Sequence, residues 1–167
     1  MLLIFPFEKK LMDEAGIEST YIGHPLAREI PMSPDKAQAR EKLAQDEHMT
    51  AFINAEGPLF AVLPGSREAE ITWCAPLFFA ACDFDRRARF LIAAADETRR
   101  AQIDTILKKF PRAREASRVL LRDSYGAMQA SDAVLVASGT ATLEAALFKR
   151  PMVVGYAMPG ITGVLMQ

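Results

Sequence analysis

The sequence predicts an α/β fold: a parallel sheet with helices on both faces. Three observations carry this. Short apolar runs recur from Leu59 onward, helical patterns lie between them, and Gly, Pro, Ser and Thr punctuate the junctions. Buried parallel strands read as continuous apolar runs, and Ala133-Val134-Leu135-Val136 is one. Strands alternating with helices imply right-handed βαβ units.

Leu2, Leu3, Ile4 and Phe5 read as the end of a buried strand with nothing before it, as if the chain began inside a domain. Glu8 to Ala15 reads as a short helix stopped by Gly16, and Tyr21-Ile22-Gly23-His24-Pro25 as a brief strand and turn. Ser33 as N-cap and Pro34 at the first helical position predict a helix to about Gln45. His48 to Gly57 shows no clear period and reads as a loop. Leu59 to Leu63 is a strand, followed by Pro64-Gly65-Ser66-Arg67 and a helix with Glu68 and Glu70 at its start and Trp73, Leu77 and Phe78 in its apolar body. Phe90 to Ala95 is the next strand. Ile103, Ile106, Leu107 and Phe110 then share one helical face. Val119 to Leu121, Ala133 to Ala137 and Pro151 to Gly155 are strands, with helices at Tyr125 to Ala130 and Thr140 to Phe148. Ile161, Val164, Leu165 and Met166 begin a further apolar helix, so the carboxyl end also reads as cut.

The 167 residues suffice for one domain with its own core, and 50% apolar with 25% charged residues fits a globular chain in water. Twenty basic against 21 acidic residues leave a net charge of −1, so no global field draws nucleic acid. Arg86, Arg87 and Arg89 cluster locally and read as a solvated turn before a strand. Cys74 and Cys82 have no metal-site spacing and read as buried free thiols. The apolar run Ile71 to Cys82 contains Pro76 and falls short of the ~20 residues a membrane-spanning helix needs. Met1 to Phe7 lacks a basic leader and a cleavage site. A cytoplasmic location is expected, with surface contact with a membrane left open.

Ligands of parallel α/β sheets bind beyond the carboxyl ends of the strands. Two junctions there carry suitable chemistry. In Ala137-Ser138-Gly139-Thr140-Ala141-Thr142, Gly139 admits close approach of a ligand, the hydroxyls can donate to phosphate oxygens, and the helix start favours an anion. Glu144, one turn in, would repel a contacting phosphate but can accept from ribose hydroxyls. A capped helix start, with Ser138 or Thr140 as N-cap, explains the same residues. At Pro64-Gly65-Ser66-Arg67 the Arg67 guanidinium suits a diphosphate, because it can make two parallel hydrogen bonds to an oxyanion. A surface arginine paired to Glu68 or Glu70 is the alternative. Gly-Lys-Ser/Thr, GxGxxG and GxSxG are all absent, which counts against ATPases, ordinary dehydrogenases and serine hydrolases.

Taken in order, Leu63-Pro64-Gly65-Ser66-Arg67-Glu68-Ala69-Glu70, Ala130-Ser131-Asp132-Ala133, Ala137-Ser138-Gly139-Thr140-Ala141-Thr142-Leu143-Glu144 and Pro151-Met152-Val153-Val154-Gly155-Tyr156 resemble the lipid-A-disaccharide synthase family. Phe5-Pro6-Phe7-Glu8 and Tyr21-Ile22-Gly23-His24-Pro25 resemble its interdomain crossover. More broadly the chain is similar to GT-B glycosyltransferases, whose second, Rossmann-like domain binds the nucleotide donor. The resemblance implies that residues 1–30 end a first domain and cross over, and that 31–167 belong to the donor-binding domain. It implies transfer of 2,3-diacylglucosamine from UDP to 2,3-diacylglucosamine 1-phosphate (lipid X), with UDP released, and no metal or other cofactor. It implies that Arg67 and the helix start near Thr140 stabilise the UDP leaving group, and that Gly65, Ser66, Ser138, Gly139, Thr140, Ala141, Thr142 and Glu144 bind substrate, Glu144 at the ribose. His24 contacts donor or phosphate, or merely satisfies the turn before Pro25. Asp123, Ser124 and Tyr125 follow a strand where GT-B proteins commonly place the nucleobase, which implies backbone contacts there; a helix cap by Asp123 or Ser124 is the alternative. The acidic general base belongs to the family's first domain. The full-length protein is expected at the cytoplasmic face of the inner membrane, with a homodimer open. His48 to Gly57 is longer than the family usually has. A UDP-N-acetylglucosamine 2-epimerase is a rival, although those typically show Ser-Gly-Gly at Ser138-Gly139-Thr140; a non-catalytic nucleotide-binding module is another.

Overall fold

The computed structural model describes residues 1–158; the apolar helix expected from Ile161 lies outside them. The chain divides into two compact units, with the boundary between Pro34 and Asp35. In the first, β1 (Leu2–Leu3) pairs in parallel with β2 (Thr20–Tyr21), α1 (Pro6–Glu14) lies between them in sequence, and α2 (Leu26–Glu29) follows. Glu8 accepts from the N–H groups of Ile4 and Phe5 at 3.2 and 2.9 Å, satisfying donors at the start of α1. Of the apolar run at the amino end only Leu3 is buried; Leu2 is 70% exposed.

The second unit holds α3 (Lys36–Ala44), α4 (Glu47–Asn54), β3 (Leu59–Leu63), α5 (Glu68–Phe84), β4 (Arg89–Ala94), α6 (Glu97–Leu107), α7 (Pro111–Glu115), β5 (Ser117–Leu121), α8 (Ser124–Ala130), β6 (Ala133–Ala137), α9 (Thr140–Leu147) and β7 (Met152–Gly155). Its strands form one parallel sheet in the order β5-β4-β3-β6-β7. Counted within the unit this is 3-2-1-4-5, the doubly wound order, and its switch point falls between β3 and β6. The fold class read from the sequence is therefore present.

Strand alternation distributes the core over both faces. Phe90, Ile92 and Ala94 join the cluster made by Ile71, Cys74, Ala75, Phe78, Phe79 and Cys82 of α5, with Ile103, Leu107 and Ala113. The intervening Leu91 and Ala93 are equally buried and turn to the other face. There α8 packs against β3, β4 and β5, and α3 packs against α8.

Several local expectations are corrected. Asp35, not Ser33, caps α3: its carboxylate accepts from Gln38 N at 3.0 Å, and aspartate is a strong cap. His48 to Gly57 is mostly helix, because Met49, Phe52 and Ile53 fall at i, i+3 and i+4 and are all buried. The apolar body of α5 is rotated from the expected one; Phe78 is buried, while Trp73 and Leu77 are 43% and 60% exposed. Phe110 lies beyond α6, at the start of α7, and meets Phe79 edge-on at 6.2 Å between centroids. Both cysteines are free and buried, and burial pushes the Cys82 thiol up to about 12.

Arg89 is not part of a solvated turn, although Arg86 and Arg87 are exposed. It is 8% exposed within β4 and donates to the carbonyls of Phe52, of Ile53 at 3.0 Å and of Gly57 at 2.8 Å. A cation at those carbonyls closes the carboxyl end of α4, where the helix dipole is negative.

At the amino edge of the sheet, Asp132 ties three elements together. It accepts from Lys36 Nζ at 2.7 Å, Arg40 Nη2 at 3.1 Å and Leu59 N at 2.9 Å, while its own N–H donates to Leu59 O at 2.7 Å. Burial opposes its charged form, but the Leu59 amide, Lys36 and Arg40 outweigh burial and hold the carboxyl below its usual value. A carboxylate with a depressed folded pKa contributes stability above its unfolded pKa of about 3.9 and loses it as pH falls through the folded value. Asp132→Asn therefore flattens the decline in stability below about pH 4. Urea midpoints from pH 7 to pH 3 check this; equal declines in the two proteins would exclude the contribution.

Candidate functional site

The two junctions meet in one cavity of about 390 Å³ at the carboxyl ends of β3 and β6. That volume falls within the ~300–1,000 Å³ of small-molecule sites. Gly65, Ser66, Arg67 and Glu70 line it from one side; Ser138, Gly139, Thr140, Ala141 and Glu144 line it from the other. The register Leu63↔Val136 explains the meeting: both strands leave the sheet at the same level, so both turns open onto one space.

The Ser138 side is a helix start with no side-chain cap. Gly139 is the N-cap residue of α9 and no side chain caps it, so neither Ser138 nor Thr140 plays the capping role. The Ser138 N–H is committed to Gly155 O at 2.9 Å. A Cβ on Gly139 would meet nothing within 4 Å, so the space beside it is open. Thr140 and Ala141, the first residues of α9, line the cavity at the positive end of the helix dipole. Thr142 does not line the cavity; its hydroxyl donates to Gly139 O at 2.7 Å.

The Arg67 side is filled differently. Glu70 Oε2 accepts from Ser66 N at 2.9 Å and Arg67 N at 3.2 Å, and Glu70 Oε1 accepts from Arg67 Nη1 at 3.0 Å. Burial opposes the Glu70 charge, but these amides and the guanidinium hold its carboxyl below the usual value. The Arg67 side chain is 83% exposed. Of the two readings of Arg67, the pairing with Glu70 is realised, and the guanidinium still projects at the cavity.

His24 belongs to the first unit, where its Nδ1 accepts from Leu26 N at 3.2 Å and its ring lies 5.5 Å from that of Phe5. The turn-satisfying reading of His24 describes these contacts. Asp123 caps α8, accepting from Gly126 N at 2.8 Å. Ser124 lines the cavity, as does Arg122, which sequence reasoning missed. Arg122 is held at φ +55 with its N–H bonded to Ala94 O at 2.8 Å. Its position directly after β5, at the same sheet edge as Arg67, was the available signal. Among the described residues no three His, Cys, Asp or Glu side chains converge to hold a metal.

The chain matches the family model for lipid-A-disaccharide synthetase over residues 1–167. A lipid-A-disaccharide synthase of Burkholderia lata is 44% identical over 171 residues, covering 100% of this chain and 41% of the relative. One from Bordetella petrii is 46% identical, covering 93% and 40%, and one from Paraburkholderia xenovorans is 43% identical, covering 100% and 41%. The chain spans about two fifths of the length of these curated relatives. With the whole described fold and both cavity turns inside the match, the chain belongs to the lipid-A-disaccharide synthetase family.

Proposed function

We propose that this chain is the donor-binding part of a glycosyltransferase that moves 2,3-diacylglucosamine from UDP to 2,3-diacylglucosamine 1-phosphate. The observation that carries the proposal is the single cavity at the sheet's switch point, lined on one side by Arg67 and on the other by the uncapped start of α9. The diphosphate sits between them. As the glycosidic bond to UDP breaks, negative charge grows on the leaving phosphate, and Arg67 with the α9 amides stabilises it. Gly65, Ser66, Ser138, Gly139, Thr140 and Ala141 shape the contact. Thr142 supports the turn through Gly139, and Glu144 accepts from the ribose hydroxyls.

The acceptor hydroxyl needs a base within hydrogen-bond reach. Of the cavity's carboxylates, Glu70 is engaged by three donors and Glu144 is assigned to the ribose. The base is therefore assigned to the part of the longer relatives that this chain does not span. The acylated substrates favour work at the cytoplasmic face of the inner membrane, as a homodimer or alone. No helix among the described residues is long and apolar enough to cross a membrane.

Calorimetric titration of the chain with UDP tests the donor site. Binding is expected, and Arg67→Ala and Glu144→Ala each weaken it roughly tenfold or more, the value of one charged hydrogen bond. Unchanged affinity in both variants would reject the assignment. In the full-length protein the product separates a disaccharide-forming transferase from an epimerase.

A further inference from the structure

Glu70 is the one carboxylate that grips the Arg67 turn. Its side chain is 27% exposed against 83% for Arg67, so the carboxylate is seated and the guanidinium projects. The turn is shaped to receive it. Gly65 has φ +123, and a Cβ there would stand 2.4 Å from Glu70 Cβ and 2.7 Å from Glu70 Oε2. Glycine at 65 thus makes room for Glu70 as well as supplying a backbone conformation that other residues resist. The two carboxylate oxygens divide the work: Oε2 takes the Ser66 and Arg67 amides, and Oε1 takes one guanidinium nitrogen.

Resting on the donor-site reading above, we propose that Glu70 is the positioning residue of the anion subsite: it locks turn 64–67 and aims the Arg67 guanidinium at the ligand. A carboxylate on the turn's amides leaves no place there for a phosphate. The phosphate is directed to the α9 side, where the space beside Gly139 is open, and Arg67 meets it with the donors Glu70 does not use. Holding a long side chain in its bound arrangement beforehand removes part of the ordering cost of binding.

A double-mutant cycle on UDP affinity in the 167-residue chain tests this, each variant first shown to be folded by circular dichroism. Glu70→Ala is expected to weaken UDP binding about tenfold in the native background and by less than about twofold once Arg67 is alanine, because coupled residues depart from additivity. Glu70→Gln, which keeps one acceptor oxygen for the Ser66 and Arg67 amides but turns an N–H donor toward the guanidinium, restores only part of the affinity lost in Glu70→Ala. If Arg67→Ala weakens binding but the two changes multiply, Glu70 affects binding independently of Arg67 and the positioning role is overturned. If Glu70→Gln binds UDP more tightly than the native chain, the carboxylate competes with the phosphate and the proposal is equally overturned. If Arg67→Ala leaves affinity unchanged, the donor-site reading fails first and Glu70 has nothing to position.

Discussion

Alanine at Arg67 is expected to lower the rate of the proposed transfer roughly 10²–10³-fold in the longer protein, the cost of removing one preorganised donor from a developing oxyanion. The proposed chemistry locates the loss in kcat. Charge on the UDP phosphate grows as the bond to the sugar breaks, so an interaction with that charge is strongest in the transition state. Lysine at the same position recovers only part of the rate, because a point charge cannot reproduce two parallel hydrogen bonds while also meeting Glu70. Steady-state kinetics of the variants check this. A rise in KM with kcat intact would show that Arg67 holds the donor without assisting departure.

Methionine at Arg89 is expected to cost about 3 kcal/mol or more in urea unfolding. The substitution strands the carbonyls of buried Phe52 and Ile53, and of the more exposed Gly57, and buried groups left unpaired cost about 1–3 kcal/mol each, though not additively. The Arg89 guanidinium also lies 5.9 Å from the centre of the Phe52 ring, so part of the cost is lost packing. Amide exchange in the variant rises first in α4, whose carboxyl end Arg89 closes. A variant within 1 kcal/mol of the native chain, on the scale of an ordinary surface change, would show that water replaces the guanidinium freely.

The sequence revealed the sheet well where burial on both faces forces continuous apolar runs. Leu59–Leu63 and Ala133–Ala137 fall where those runs predict. It concealed α4, because only three large apolar residues mark that helix and its partner Arg89 is distant in sequence. Arg89 itself read as a surface charge because neighbouring arginines are exposed and nothing local shows three carbonyls converging on it. Strand-to-helix position in the sequence put Arg67 and Gly139 at one sheet edge, and both line the same cavity. The same rule applied to β5 would have found Arg122. The engagement of Glu70 with turn 64–67 was harder to read: Glu70 entered only as one of two ion-pair partners, and its amide bonds depend on the left-handed backbone at Gly65.

The pin at Asp132 sets the gauge of a pair of calipers. By bonding Leu59 through both its backbone and its side chain, Asp132 fixes where β3 starts against β6, and the jaws are the turns at the other ends of those strands. A slip of one residue along either strand would shift one jaw by about 3.3 Å, more than the length of a hydrogen bond. The two turns would then no longer close on the one diphosphate proposed for their cavity. A salt-bridged aspartate at the far edge of the sheet, outside the cavity lining, thus serves as the measuring stop for the span between Arg67 and the first turn of α9.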